Sequence, residues 1–133
     1  MAQSAFMAAA ESVLFEMAVG NVRSLPLGFA EKATEIARQT SGRLLFEIRL
    51  DGDAHYQRVA AISYARGEIG ILVLDKDGAS VRSSIAGGGF ASFIEPLECW
   101  SNLPLRDQAN NDIRGHAILF IAALRNAGCA PLR

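Results

Sequence analysis

Four strand-like runs joined by short turns occupy residues 43–85, and they constrain the fold more than any other part of the chain. The runs are Arg43–Asp51, His55–Tyr64, Glu68–Asp75 and Ala79–Ile85. The turns between them carry the glycine and aspartate residues that tight hairpins require. A parallel crossover needs a dozen or more residues, so connections this short join antiparallel neighbours. The sequence therefore predicts a four-stranded antiparallel meander.

Two of the runs indicate how the sheet is buried. In the first, Leu44, Phe46 and Ile48 alternate with polar residues such as Glu47. This period of two is typical of a strand with one buried face. The third run, 69–74, is apolar on both faces and predicts a central strand.

Two helices are predicted before the sheet. Ala2–Ala18 has apolar residues at three- and four-residue spacing, and Gly20 supplies a C-terminal stop. A second helix is predicted to begin at Ser24 and to continue to about Thr40. The first helix is apolar on more than one side. This breadth predicts either burial within the monomer or a homodimer formed through the first helix.

The chain after the sheet is predicted to be irregular and then helical. Ser92–Trp100 has a helical pattern, but Pro96 and the nearby Pro104 keep this region short and irregular. Ile113–Ala127 has a clear apolar stripe and predicts a C-terminal helix. The prediction is a single α+β domain over residues 1–133, with two N-terminal helices, the antiparallel meander, an irregular segment and a C-terminal helix. The helices are expected to cover one sheet face.

Charge and cysteine content narrow the classes of function. Thirteen basic and fourteen acidic residues give a net charge of −1, which argues against nucleic acid and anionic membranes as partners. The N-terminal apolar segment lacks a basic flank and is interrupted by Glu11 and Glu16, so neither a signal peptide nor a membrane span is expected. Cys99 and Cys129 have no metal-type spacing and predict thiols in a reducing cytoplasm.

A sheet face left open by the helices would carry charged and aromatic residues that suit a protein interface. Tyrosine and arginine are common anchors of protein–protein contacts. The predicted partner-binding residues are Glu47, Arg49, Tyr56, Arg58, Tyr64 and Arg82. The leading prediction is a non-catalytic module that binds another protein, of the inhibitor, immunity-type, adaptor or chaperone-like kind. It would act through this face or through a sheet edge, and an ordinary solvated face is the alternative.

The meander also sorts the turns between the two ends of the sheet. One end collects four aspartates, Asp51, Asp53, Asp75 and Asp77, which are turn residues, a patch that faces a basic protein partner, or ligands of a divalent ion. The other end collects Arg43, Arg66 and the glycines Gly88 and Gly89. Glycine backbone amides and guanidinium groups suit an anion. An anion- or small-molecule-binding sensor is therefore the alternative function.

Nucleophilic catalysis would depend on Cys99 with either His55 or His116. His116 follows Asp112 by four residues, so the two side chains share one helix face. Cys99 lies in an apolar stretch, where a buried and inert thiol is expected. A Cys/His enzyme is the third alternative, and an activity without catalysis is favoured over it. No sequence pattern indicates a cofactor.

Overall fold

A four-stranded antiparallel sheet lies at the centre of the chain, and its strands are neighbours in sequence order. The strands are β1 (Arg43–Arg49), β2 (Tyr56–Ser63), β3 (Ile69–Asp75) and β4 (Val81–Ala86). The computed structural model describes residues 2–100 and 111–132. The predicted α+β class and antiparallel meander are confirmed.

Four helices lie in the described part of the chain and pack on this sheet. They are α1 (Ala2–Arg23), α2 (Phe29–Gln39), α3 (Ala91–Trp100) and α4 (Asn111–Asn126). The side chains of residues 2–12 are not among those described, so the predicted apolar stripe of α1 can be followed only from Val13 onward. The predicted interruption at Pro104 also lies outside the described residues.

The two N-terminal helices begin or end at other residues than predicted. The helix α1 continues through Gly20 to Arg23, because Val19 and Val22 are buried in the core beneath it. Burial of two valines outweighs the cost of one exposed helical glycine, about 1 kcal/mol. The helix α2 begins at Phe29, after an N-cap at Gly28, and not at Ser24.

The segment predicted to be irregular forms the ten-residue helix α3, with Pro96 inside it. Proline removes one hydrogen bond of the helix and normally interrupts it. Here Ile94 and Leu97 lie on either side of the proline and are both buried. The packing of these two side chains stabilises the helix at the position where proline removes a hydrogen bond.

The helices cover both sheet faces, so the expectation of one open face is wrong. In β2, Val59 and Ala61 belong to a core shared with α3 and α4. The alternate residues Ala60 and Ile62 belong to a second core, shared with α1 and α2. Because neighbouring side chains of a strand point to opposite faces, the sheet is the middle layer of three.

A β-bulge breaks the predicted alternation of β1. The register with β2 shifts between Leu44 and Phe46, so Leu45 is the extra residue. Leu44 packs with the α1/α2 core, whereas Leu45 and Phe46 are both buried in the α3/α4 core. The prediction that Leu44 and Phe46 share a face is therefore wrong.

The central strand β3 allows a direct test of the second core. Leu72 is 1% exposed between α1, α2 and the sheet, whereas Leu119 on α4 is 62% exposed. Leu72→Ala is expected to lower the free energy of unfolding by about 2–5 kcal/mol, since it leaves a cavity in the core. The control Leu119→Ala should change it by less than about 0.5 kcal/mol. Urea titration measures both, and equal effects would contradict the three-layer packing.

Candidate functional site

The outer edge of β4 is an open strand edge. The alternation of hydrogen bonds along the strand shows which of its residues direct their backbone groups away from the sheet. The amide of Asp75 donates to the carbonyl of Ser80 at 2.9 Å. In an antiparallel ladder the bonded pairs recur every second residue, so the β4 residues bonded to β3 are Arg82, Ser84 and Ala86. The backbone amides and carbonyls of Val81, Ser83 and Ile85 therefore point away from the sheet.

The hydrogen bonds between β3 and β2 lead to the same assignment of outward residues in β4. The amide of Tyr64 donates to the carbonyl of Glu68 at 3.0 Å, so Gly70, Leu72 and Leu74 are bonded to β2. The intervening residues of β3 are left to pair with β4. Two independent hydrogen bonds thus agree on the orientation of the outer edge.

Nothing in the described part of the chain pairs with this edge. No backbone hydrogen bond within residues 2–100 and 111–132 reaches Val81, Ser83 or Ile85 from outside the sheet. All three residues are half-buried, and the β3–β4 register runs without a shift. The strand at the other edge of the sheet, β1, differs from β4, because it carries the bulge and lies against both α2 and α3. Bulges and covering helices are the usual protection of a strand edge.

The charged residues predicted to bind a partner are divided between the two sheet faces. Glu47 and Arg58 form a bidentate ion pair on the α1/α2 face, with oxygen–nitrogen distances of 2.5 and 3.2 Å. Arg49 lies on the same face and is mainly exposed. Arg82 lies on the opposite face, where its Nε is 3.3 Å from a carboxylate oxygen of Asp75. One flat charged surface is therefore not formed.

Both predicted tyrosine anchors are occupied by internal contacts. Tyr56 is 7% exposed, and its hydroxyl donates to the carbonyl of Pro131. The hydroxyl of Tyr64 lies 2.8 Å from the hydroxyl of Thr40, and its ring meets Phe15 edge to face. The aromatic contribution expected for a partner-binding face is thus used within the fold.

The end of the sheet predicted to be acidic is neutralised by arginine. Asp51 accepts a hydrogen bond from Arg114 of α4 at 3.1 Å, and Asp53 accepts one from Arg125 of the same helix at 2.6 Å. Arg49 lies 3.8 Å from the other oxygen of Asp51. Neither Arg114 nor Arg125 could be assigned to this site from the sequence, because more than sixty positions separate each from its aspartate.

A cavity of about 380 Å³ lies between the β1–β2 turn and α4. Its apolar lining includes Leu50, Ile118 and Ile121. Its polar lining consists of three arginines, two aspartates and one asparagine: Arg49, Arg114, Arg125, Asp51, Asp53 and Asn126. The volume lies within the range of small-molecule sites, and an apolar lining with a few charged groups is typical of them.

Asp53 is the most firmly held carboxylate in this cavity. Burial would raise its pKa, but hydrogen bonds from the backbone amide of Tyr56 and from Arg125 outweigh burial and lower it. The amide of His55 adds a further bond at 3.0 Å. Asp53 therefore carries a negative charge at neutral pH and fixes both the turn and Arg125.

The two remaining aspartates serve the β3–β4 turn. Asp75 pairs with Arg82, and Asp77 accepts a hydrogen bond from the amide of Ala79 at 2.9 Å. Within residues 2–100 and 111–132, no three histidine, cysteine or acidic side chains come together in a way that could hold a metal ion. The structure thus does not bring the four aspartates into one metal-type group.

The predicted anion-binding residues share one end of the sheet but not one place on it. Arg43 begins β1 and the glycines follow β4, so they lie at opposite edges of the sheet. Three strand spacings separate those edges, about 14 Å. Arg66 lies in the turn between β2 and β3. A single anion could not contact all of them.

The two catalytic candidates are placed on different helices. His116 of α4 packs against Phe93, and its Nε2 lies 3.1 Å from the carbonyl oxygen of Phe93. Cys99 lies in the last turn of α3 and is exposed, so the expectation of a buried thiol is wrong. The side of this helix that packs into the core carries Ile94 and Leu97, and Cys99 lies outside it.

Comparisons with protein-family models, with curated proteins and with solved structures give no match to this chain. In the described part of the chain, no helix combines the length and hydropathy that crossing a membrane requires.

The role of Asp53 leads to a pH-dependent prediction. Asp53→Asn removes a charge-assisted contact and is expected to lower the free energy of unfolding at pH 7 by about 1.5–3 kcal/mol. A carboxyl group with a lowered pKa stabilises the fold above its unfolded pKa, about 3.9, and loses this contribution as the pH falls through its folded pKa. The difference between the wild type and the variant should therefore shrink below about pH 4.

Asp51→Asn is the control for this prediction, since its side chain is 71% exposed, against 13% for Asp53. An exposed ion pair contributes about 0–1 kcal/mol. Urea titrations of both variants from pH 3 to pH 8 make the comparison. A destabilisation by Asp53→Asn that is the same at every pH would contradict the assignment.

Proposed function

We propose that this protein is a small non-catalytic module that binds another polypeptide along the outer edge of β4. The observation that carries the proposal is the outward orientation of the backbone groups of Val81, Ser83 and Ile85. Adding an extended strand to an open sheet edge is a common mode of protein recognition. Backbone hydrogen bonds supply the affinity, and side chains that alternate along the edge supply the specificity.

The other surfaces of the sheet are less suited to binding an extended strand than the β4 edge. Two helix pairs bury the sheet faces, and the predicted tyrosine anchors make internal hydrogen bonds. The edge formed by β1 is bulged and flanked by helices. Of the sheet surfaces in the described chain, the β4 edge keeps both unpaired backbone groups and a regular register.

The edge also carries recognisable side-chain chemistry. Val81, Ser83 and Ile85 share the face on which α1 lies, whereas Arg82 and Ser84 lie on the other face. Arg82 is mainly exposed even though it pairs with Asp75. An incoming strand would therefore meet apolar groups on one face and a guanidinium on the other. Inhibitors, immunity-type proteins, adaptors and chaperone-like proteins in a reducing cytoplasm all fit this kind of contact.

A proline at the centre of the edge tests the proposal. Ser83→Pro removes an outward amide but none of the hydrogen bonds to β3, since proline is tolerated on the open side of an edge strand. Ser83→Ala changes the same side chain and keeps the amide. The wild type and the two variants are each used as bait. The wild type and Ser83→Ala should retain a bound protein, and Ser83→Pro should lose it. Equal retention by all three would contradict binding at this edge.

The cavity beside α4 favours a second candidate, the binding of a small carboxylate that carries an apolar group. Three guanidinium groups face two carboxylates in its lining, which leaves an excess of one positive charge. Guanidinium groups bind carboxylates through paired hydrogen bonds, and Ile118 and Ile121 would contact the apolar group.

A set of short- and medium-chain carboxylates tests this candidate by thermal shift. A ligand that binds the folded protein raises the unfolding temperature, and the shift grows with the logarithm of the ratio of its concentration to its Kd. Arg114→Gln should abolish the shift, because it removes a charge that lines the cavity. Arg38→Gln, on the exposed face of α2, is the control and should leave the shift unchanged. A shift that persists in Arg114→Gln would place the ligand elsewhere.

A further inference from the structure

We infer that the strand accepted by the β4 edge is β4 of a second copy of this chain, paired antiparallel about a two-fold axis at Ser83. This inference rests on the proposed function, because it names the partner of the same edge. Each copy would offer the same outward backbone groups, as a two-fold interface requires. The two four-stranded sheets would then form one continuous sheet.

The alternation of outward and inward backbone groups along β4 limits the registers in which two copies can pair. Only residues with outward backbone groups can exchange hydrogen bonds, and these are Val81, Ser83 and Ile85. With Ser83 opposite Ser83 of the second copy, Val81 lies opposite Ile85 of the second copy. All outward groups of the strand are then used, with about six hydrogen bonds between the copies.

The side chains of β4 are complementary to themselves in this register. Val81 meets Ile85, which places two β-branched apolar side chains side by side on the α1 face. Such cross-strand pairs stabilise a sheet. On the other face Arg82 meets Ser84 of the second copy, so two mainly exposed guanidinium groups are kept apart.

Neighbouring registers lack this complementarity. A shift that centres the axis on Arg82 would place two arginines directly opposite each other, and like charges in that position are destabilising. A shift that centres it on Ser84 leaves Val81 without an apolar partner. The register centred on Ser83 is therefore the one that the sequence of β4 favours.

The helix next to the edge carries exposed apolar residues, and this arrangement would place it near its own copy. Val13, Leu14 and Met17 of α1 are each more than half exposed, and α1 is the helix that contacts β4. A two-fold axis perpendicular to the sheet keeps the two α1 helices on the same face of the joined sheet. Leu14 lies on a flank of α1, about 100° around the helix from the buried Phe15, and suits a contact between the two helices, whereas Val13 and Met17 lie on the side away from the sheet.

The mass of the protein in solution tests the inference. Sedimentation equilibrium of the full chain at 1–100 µM (about the range in which a modest interface is populated) should give a dimer for the wild type and for Ser83→Ala, and a monomer for Ser83→Pro. Circular dichroism and thermal unfolding of the three proteins at low concentration verify that Ser83→Pro is folded. Leu14→Glu, on the flank of α1, should weaken the dimer without changing the fold of the monomer.

A cysteine at the axis tests the register. Opposite residues of a hydrogen-bonded pair lie about 5.5 Å apart between Cα atoms, which a disulfide can bridge. In a Cys99→Ser background, Ser83→Cys should give a covalent dimer on mild oxidation. Ser84→Cys is the matched control, since Ser84 would lie on the diagonal from its own copy, about 7–8 Å away, and should not cross-link.

The outcomes separate this inference from the proposed function. A wild-type monomer throughout the concentration range would overturn pairing between copies, and the bait experiment with Ser83→Pro would still decide whether the edge binds another protein. A dimer that survives in folded Ser83→Pro would overturn this interface. Cross-linking of Ser84→Cys in place of Ser83→Cys would overturn the register.

Discussion

The burial of both faces of the central strands is the constraint on which the rest of this structure depends. The strands β2 and β3 carry apolar residues on both sides, among them Val59 and Ala60 in β2 and Ile71 and Leu72 in β3. A sheet with two apolar faces needs a covering layer on each, and the chain supplies one helix pair before the sheet and one after it. Because the faces are used for folding, the sheet is left with its edges as places to meet another molecule.

The close approach of α1 to the sheet shows how tightly one of these layers is packed. A methyl group added at Gly70 would lie 2.6 Å from the ring of Phe15, which is itself completely buried. Only a residue without a side chain lets the aromatic ring lie directly on β3. The same ring meets Tyr64 edge to face, so one glycine sets the positions of two aromatic residues. The position of α1 beside β4 depends on this contact.

The strands and turns could be predicted from the sequence because their signals are local. Alternation, glycine and aspartate lie within a few residues of the hairpins that they form, and the turns at Gly52, Gly67 and Gly78 all have the positive φ that favours glycine. The third run was also predicted to be apolar on both faces, but the helices were expected to cover only one face, although a strand of this kind needs cover on both. The bulge at Leu45 could not be predicted, since Leu44, Leu45 and Phe46 are all apolar and fit either face.

The surfaces were harder to predict than the fold, because they depend on contacts between distant positions. The pairing of Arg125 with Asp53 joins residues 72 positions apart, and nothing local to either indicates it. The tyrosines had the composition of an interface, but their hydroxyls meet Thr40 and Pro131 inside the protein. That β4 has an open edge could have been inferred from the predicted meander, since its last strand has a neighbour on one side only, but which of its residues face outward depends on the hydrogen bonds to β3.

The difference between the two outer strands has a consequence for assembly. An edge that accepts a strand is a hazard when both ends of a sheet are open, because copies can then add without limit and form fibres. In this chain β1 is kinked by its bulge and lies against α2 and α3, so it offers no regular second edge. Growth through β4 would therefore stop after one addition, and a soluble closed pair would replace an open polymer.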